Sequence, residues 1–176
     1  MQDNKIRVSR VNSKVEYPAK FLFIGAMNPC PCGNLLNAYK ECRCSDIEVQ
    51  RYKNRLSDPF LDRIDINVVM QNVSPSDKPS LSSKEMHKKV VESHIFMKQR
   101  GQSDFNAKLS DKEIEKHCVL NDEAKLTLDT ATNRFTLSFR SIKKVQKVAR
   151  TIADLEQVKV IQKHHILEAL SFRKRS

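Results

Sequence analysis

Apolar and polar residues follow two different rhythms along this chain, and the change from one to the other divides it. In residues 1–73 apolar positions come as short runs or at every second place. Ile6 and Val8, then Val15 and Tyr17, are spaced two apart around Asn12-Ser13, a pattern that predicts a short hairpin. Phe21-Leu22-Phe23-Ile24-Gly25-Ala26-Met27 is an unbroken run, too short for a helix and stopped by Asn28-Pro29, which predicts a buried strand. Ser45 and Glu48 have capping-box spacing, so a helix is expected from Ser45. Ile47, Tyr52 and Leu56 would face inward, and the residue before Pro59 disfavours helix, which places its end near Ser57-Asp58-Pro59. Ile64 to Met70 alternates at first and then turns wholly apolar, predicting a second strand.

From Gln71 to Ser83 no period survives among the serines and prolines, so residues 74–83 read as a linker. Beyond it the rhythm is helical over 84–176. Ser83 can cap a helix reaching about Gln99, with Gly101 ending it. Ser110 and Glu113 form another capping box, Asn121 begins a third helix, and Ser138 begins a fourth. In the fourth, Phe139, Ile142, Val145, Val148, Ile152 and Leu155 recur at steps of three and four as one apolar stripe. Ile161 to Leu170 gives a last short helix.

Composition narrows the class. A chain of 176 residues can hold one medium domain or two small ones around a real core. With 39% hydrophobic residues and a mean hydropathy of −0.55, much of the surface is wet. No apolar stretch approaches a bilayer-spanning helix, and MQDNKIRVSR lacks the apolar centre of a signal peptide. A cytoplasmic protein with no membrane partner is expected. The net charge of +11 favours polyanions such as DNA, although a solvated basic surface gives the same total. Without Trp and with 6% aromatics, contact with DNA would run through phosphates and be salt-sensitive.

Four segments carry a resemblance: AMNPCPCG, then ECRCS, then RYKNRLSDPFLDRIDI, then SFRSIKKVQKVARTIADLE. In that order they resemble the magnesium-chelatase-like AAA+ ATPases, in the competence-protein branch, over nearly the whole chain. The resemblance implies an α+β fold that is mostly α. Residues 1–73 would be the remnant of an AAA+ α/β sheet with a Cys-rich loop, and 84–176 a helical lid domain. Residues 1–20 take the place of the hairpin between the Walker B strand and the sensor strand. No G-x-x-x-x-G-K-[ST] occurs, since Gly25, Gly33 and Gly101 are the only glycines and none precedes Lys. The chain therefore reads as the portion after Walker A and Walker B, with the N-terminal ATPase half of its own chain as its first partner. The full-length protein is expected to use ATP and Mg2+, to form a homo-oligomeric ring and to act in DNA processing. The fragment alone is expected to be inactive.

The resemblance also assigns roles. Asn28 matches sensor 1, a neutral side chain able to donate and accept at once towards the attacking water or a phosphate. Its plain reading is an Asn-Pro turn. Arg63 in Leu61-Asp62-Arg63 matches the arginine finger, with Asp62 and Asp65 as orienting neighbours; a surface Arg paired with either Asp is the alternative. Arg140 matches sensor 2. Lys143, Lys144, Lys147 and Arg150 lie off the apolar stripe and read as a solvated face, with DNA contact as the lesser option. Cys30, Cys32, Cys42 and Cys44 could share a structural Zn2+, with the loop Gly33 to Glu41 folded back between the pairs. The tight Cys-x-Cys spacing leaves free thiols as the other reading. Cys118, His117 and the pair His164-His165 have no ligand partner at recognisable spacing. Two rival functions stand beside this one: a chelatase motor subunit, which the cysteine box argues against, and a zinc-stapled nucleic-acid-binding module without ATPase activity.

Overall fold

The computed structural model describes residues 5–10, 13–19, 21–70, 72–74 and 76–173, which fold as two compact units, Met1–Lys53 and Asn54–Ser176. Among the described residues it is mostly helical with one small sheet.

The first unit opens with the expected hairpin, β1 (Lys5–Arg10) antiparallel to β2 (Ser13–Pro18). Ile6 faces Tyr17 and Val8 faces Val15 across the ladder, so these four share one face. On the other face Glu16 is held by Lys5 and Arg7. Asn12, half of the predicted turn, lies outside the described residues. The strand predicted over Phe21–Met27 does not form. The run is irregular, and Leu22 and Ile24 are 85% and 83% exposed. A strand needs a neighbour for its N–H and C=O groups, and among the described residues the only ladder is the hairpin's own. After the cysteine loop, α1 (Asp46–Lys53) starts as read: Ser45 N–H donates to Glu48, and Glu48 N–H reaches the Ser45 hydroxyl.

The second unit begins with a correction. Ser57-Asp58-Pro59 also starts a short helix, α2 (Asp58–Leu61). Ser57 caps it, and Pro59 sits in the first turn, where a missing N–H costs nothing. The strand predicted over Ile64–Met70 is irregular too, with Met70 80% exposed. Next come α3 (Ser83–Gln99), capped by Ser82 rather than Ser83, and a 3₁₀ turn (Asn106–Lys108). The chain ends its regular structure with α4 (Asp111–His117), α5 (Asp122–Phe135), α6 (Phe139–Leu155) and α7 (Lys163–Ser171).

Helix α6 is the axis of this unit, touched by α3, α4 and α7. The core joins Leu109, Ile114, Cys118, Ala124, Leu128, Val145, Ala149, Ile152, Ala153, Ile161, Ile166 and Ala169. The predicted stripe of α6 holds at Ile142, Val145, Val148 and Ile152 and gains Ala149 and Ala153, while its ends Phe139 and Leu155 are 71% and 43% exposed. Small side chains there let neighbouring helices approach closely. The same helix buries charge. Arg150, read as a solvated residue, is wholly buried. Its Nε donates to Asp154, while its two other nitrogens hold the Val158 and Lys159 carbonyls. Arg100 closes the other side of Asp154 with two bonds. Asn106 and Gln102 complete the network, which fixes the 3₁₀ turn against α6.

Candidate functional site

Two sites can be built from the described side chains, one in each unit. In the first, Pro29 and Pro31 stiffen the approach to a tight turn in which Gly33 N–H bonds Cys30 O. Gly33 has φ of +80°, a conformation open to glycine and strained for other residues. Asn37 then accepts from the N–H groups of Tyr39 and Lys40, which turns the loop back. This brings the two Cys-x-Cys pairs together. All four sulfurs lie within 4.8 Å of one another, and all are free thiols.

The donor set fits zinc. A tetrahedron with Zn–S of about 2.3 Å has sulfur–sulfur edges of about 3.8 Å. Cys30 lies 3.4 Å from Cys32 and 3.7 Å from Cys42, and Cys32 lies 3.7 Å from Cys42. The electrostatics agree. Backbone N–H groups of Asn34 and Arg43, helped by Cys30, bring Cys32 down to about 6. At Cys44 the Cys32 backbone bond lowers the pKa, but burial and the three neighbouring sulfurs push it up to about 12. One thiolate thus forms easily and opposes the next, an opposition that a divalent cation at the centre removes. Cys30 is fully buried, so the cluster is anchored on one side and open on the other.

Asn28 precedes this turn. Its carboxamide lies 3.7 Å from where a Cβ on Gly33 would stand, so the sensor candidate borders the cysteine turn. The strand expected to present it is not formed, and Asn28 is exposed.

In the second unit Arg63 and Arg140 come from distant parts of the sequence. Arg63 follows α2, and its Nη1 donates back to Pro59 O. Arg140 is half-buried in the first turn of α6, which Ser138 caps. Asp62, next to Arg63, accepts from the hydroxyl of Ser141, next to Arg140, at 3.0 Å, and from Arg173 Nη2 at 2.6 Å. Burial raises the Asp62 carboxyl, but Arg173, Ser141 and Lys144 outweigh it and hold the pKa below the ordinary 3.8. Lys144 Nζ bonds the Asp62 carbonyl at 2.8 Å and the Asp65 carboxylate at 3.0 Å. Asp62 and Asp65 are therefore partners of α6 and α7 rather than of Arg63. Lys143 and Lys144 are likewise tied, the former to Asp111 and stacked over Phe139.

A third cluster brings Glu156 within reach of His164 and His165. Gln162 N–H donates to His165 Nδ1, so that ring carries its proton on Nε2 and donates it to Glu156. A metal at Nε2 would need that lone pair. The cluster is a hydrogen-bonded tie between the end of α6 and the start of α7.

Known proteins resolve which family these sites belong to. Residues 1–78 match the family described as magnesium chelatase, subunit ChlI, and residues 80–173 match magnesium chelatase, subunit ChlI C-terminal. The chain belongs to the magnesium chelatase ChlI family. This ChlI-family chain is 38% identical over 181 residues to competence protein ComM of Haemophilus influenzae, covering 98% of itself and 34% of that protein. It is 38% identical over 183 residues to the uncharacterized protein YifB of Salmonella typhimurium, with 98% and 35% covered. A Mycobacterium bovis protein is 31% identical over 181 residues, again with 98% and 35% covered. The chain thus spans about a third of the length of these curated relatives. No helix among the described residues is long and apolar enough to cross a membrane.

Sequence reasoning missed three things in this ChlI-family chain. The Asp62–Ser141–Arg173 contact spans up to 111 residues and leaves no local signal. The buried Arg150 did leave one, an Asp four residues on. The tie from Glu156 to the histidines had only a carboxylate at a non-helical spacing of eight and nine.

Proposed function

We propose that this chain is the part of a cytoplasmic, ring-forming AAA+ ATPase that completes a nucleotide site gripped by another portion of the protein. The reading rests on one observation: the ChlI family and its C-terminal part match end to end in a chain that carries no phosphate-gripping glycine loop. When bound, ATP with its Mg2+ supplies the phosphoryl group that passes to water. Asn28 orients the attacking water by donating and accepting at once. Arg63 presents its guanidinium across a subunit boundary to the charge that grows on the transferred group. Arg140, on the lid over 84–176, binds phosphate oxygens, with 74–83 as the linker between lid and sheet portion. Cys30, Cys32, Cys42 and Cys44 would hold a structural Zn2+ that would close the loop behind Asn28, four thiolates leaving no open position for catalysis. The name of the Haemophilus relative, a competence protein, together with the net charge of +11, supports DNA as the substrate on which the motor acts.

Alone, the chain should neither bind ATP stoichiometrically at micromolar concentration nor hydrolyse it, and calorimetry showing such binding would refute the division of labour. Joined to a Walker A and Walker B portion, Arg63→Ala should leave nucleotide binding in place and lower turnover by about a thousandfold. Mixing that variant with a Walker-A-defective subunit should recover part of the activity. If no mixture recovers turnover, Arg63 does not act in trans.

A further inference from the structure

The two arginines that the proposed function employs are tied together through their neighbours in the chain. Asp62 is one peptide unit from Arg63, Ser141 is one from Arg140, and the two are hydrogen-bonded at 3.0 Å. Arg173, at the end of α7, donates through one nitrogen to both members of that pair, at 2.6 Å to Asp62 and 3.0 Å to Ser141. Ser141 is 4% exposed while the Asp62 side chain is 35% exposed, so the junction is shielded on its α6 side and open to solvent at Asp62. Three further bonds extend it along the segment after Arg63. Lys144 Nζ holds the Asp62 carbonyl and the Asp65 carboxylate, and Asn67 N–H donates to Phe172 O at 2.8 Å. The backbone on both sides of Arg63 is therefore fastened to α6 and α7. The guanidinium rests on Pro59 O, a contact within its own turn that side-chain rotation alone would release.

We infer that Asp62 is a positioning residue, whose bonds to Ser141 and Arg173 mount Arg63 on the same rigid helical body as Arg140, so that the two cations meet phosphate as a fixed pair. The inference rests on the function proposed above and adds to it the device that sets the geometry. Three physical points support it. The spacing of two cations is worth most when it is set before phosphate arrives, because a misplacement of about 1 Å can cost about a hundredfold in rate. A carboxylate that accepts from a guanidinium and a hydroxyl at once restrains both partners, whereas a lone surface pair restrains neither. The clip also spans the irregular residues 76–82, so Arg63 stays with the helices across that stretch.

Two measurements test this. In the chain as described here, the Asn67 amide should exchange with deuterium at least tenfold faster in Asp62→Ala than in the parent. Amides of the α6 core at Val145 and Ala149 should be unchanged, and so should the helical melting curve. Equal exchange at Asn67 in both proteins would mean that the clip does not hold the segment. In the protein joined to its Walker A and Walker B portion, Asp62→Ala should lower kcat roughly tenfold to a hundredfold. KM for ATP should stay within twofold, and Asp62→Glu should recover part of the rate. Ser141→Ala added to Asp62→Ala should lower kcat no further, since both remove one junction. An active joined protein whose kcat ignores Asp62→Ala, or in which kcat falls only in proportion to the folded fraction, overturns the positioning role alone. A joined protein with no ATPase activity overturns the proposed function itself, and with it any catalytic meaning of the clip.

Discussion

Buried charge decides the behaviour of single residues in the helical unit. Arg150 and Asp154 are 0% and 1% exposed, and each completes the hydrogen bonding of the other. Burial depresses the Arg150 pKa and Asp154 opposes that effect. Arg150→Ala should cost about 3 kcal/mol, because it leaves the Val158 and Lys159 carbonyls without their donor and Asp154 with Arg100 and Asn106 alone. Urea unfolding midpoints of the variant and the parent measure the loss. Asp62 behaves differently because solvent reaches it. Its folded pKa lies below 3.8, so its contribution is complete above that value and is lost as the pH falls through the lower folded value. The carboxyl carbon shift of Asp62 should therefore titrate below its ordinary range, and Arg173→Ala should bring it back up. Composition rules hid Arg150, since Lys and Arg are seldom inside. Only the carboxylate four residues further on marked it as paired.

Most elements with local signals were read correctly, the short helix α2 and the exact cap of α3 excepted, and elements that need distant partners were not. The Ser45, Ser110, Asn121 and Ser138 caps all stand at the ends the sequence predicts, because a cap is satisfied within four residues. The runs at 21–27 and 64–70 have strand composition, yet a strand exists only as part of a sheet, and no described element pairs with either. The cysteine cluster was legible as a set of ligands, whereas the pairing of Asp62 with the start of α6 depends on tertiary contact. The corner between α5 and α6 gives a prediction of its own. Thr136 ends α5 with φ of +48°, a left-handed conformation that a β-branched residue holds under strain. Thr136→Gly should raise stability by roughly 0.5 kcal/mol, the relief of that strain less the extra freedom glycine has when unfolded. Limited proteolysis should cut first between 76 and 82, where the chain is irregular and exposed, and leave α6 intact.

At the scale of the whole molecule, metal and helices should respond separately. Protein purified without chelator should carry about one zinc per chain, measured by elemental analysis. Chelation should open Gly33 to Glu41 to protease while helical circular dichroism persists, because α3 to α7 belong to the other compact unit. Metal well below one equivalent, with four rapidly reacting thiols, would remove zinc from the account. The Asp62 clip has a consequence in time as well as in space. Its two ends, Asp62 and Arg173, are 111 residues apart. A ribosome adding about 5–20 residues per second takes roughly 5–20 seconds to make that interval. Throughout it the Arg63 segment has been synthesised but has neither Arg173 nor Phe172 to fasten to. The segment around Arg63 is fastened among the last events of the unit's synthesis, so in a nascent chain it cannot take its final place before α7 has been made.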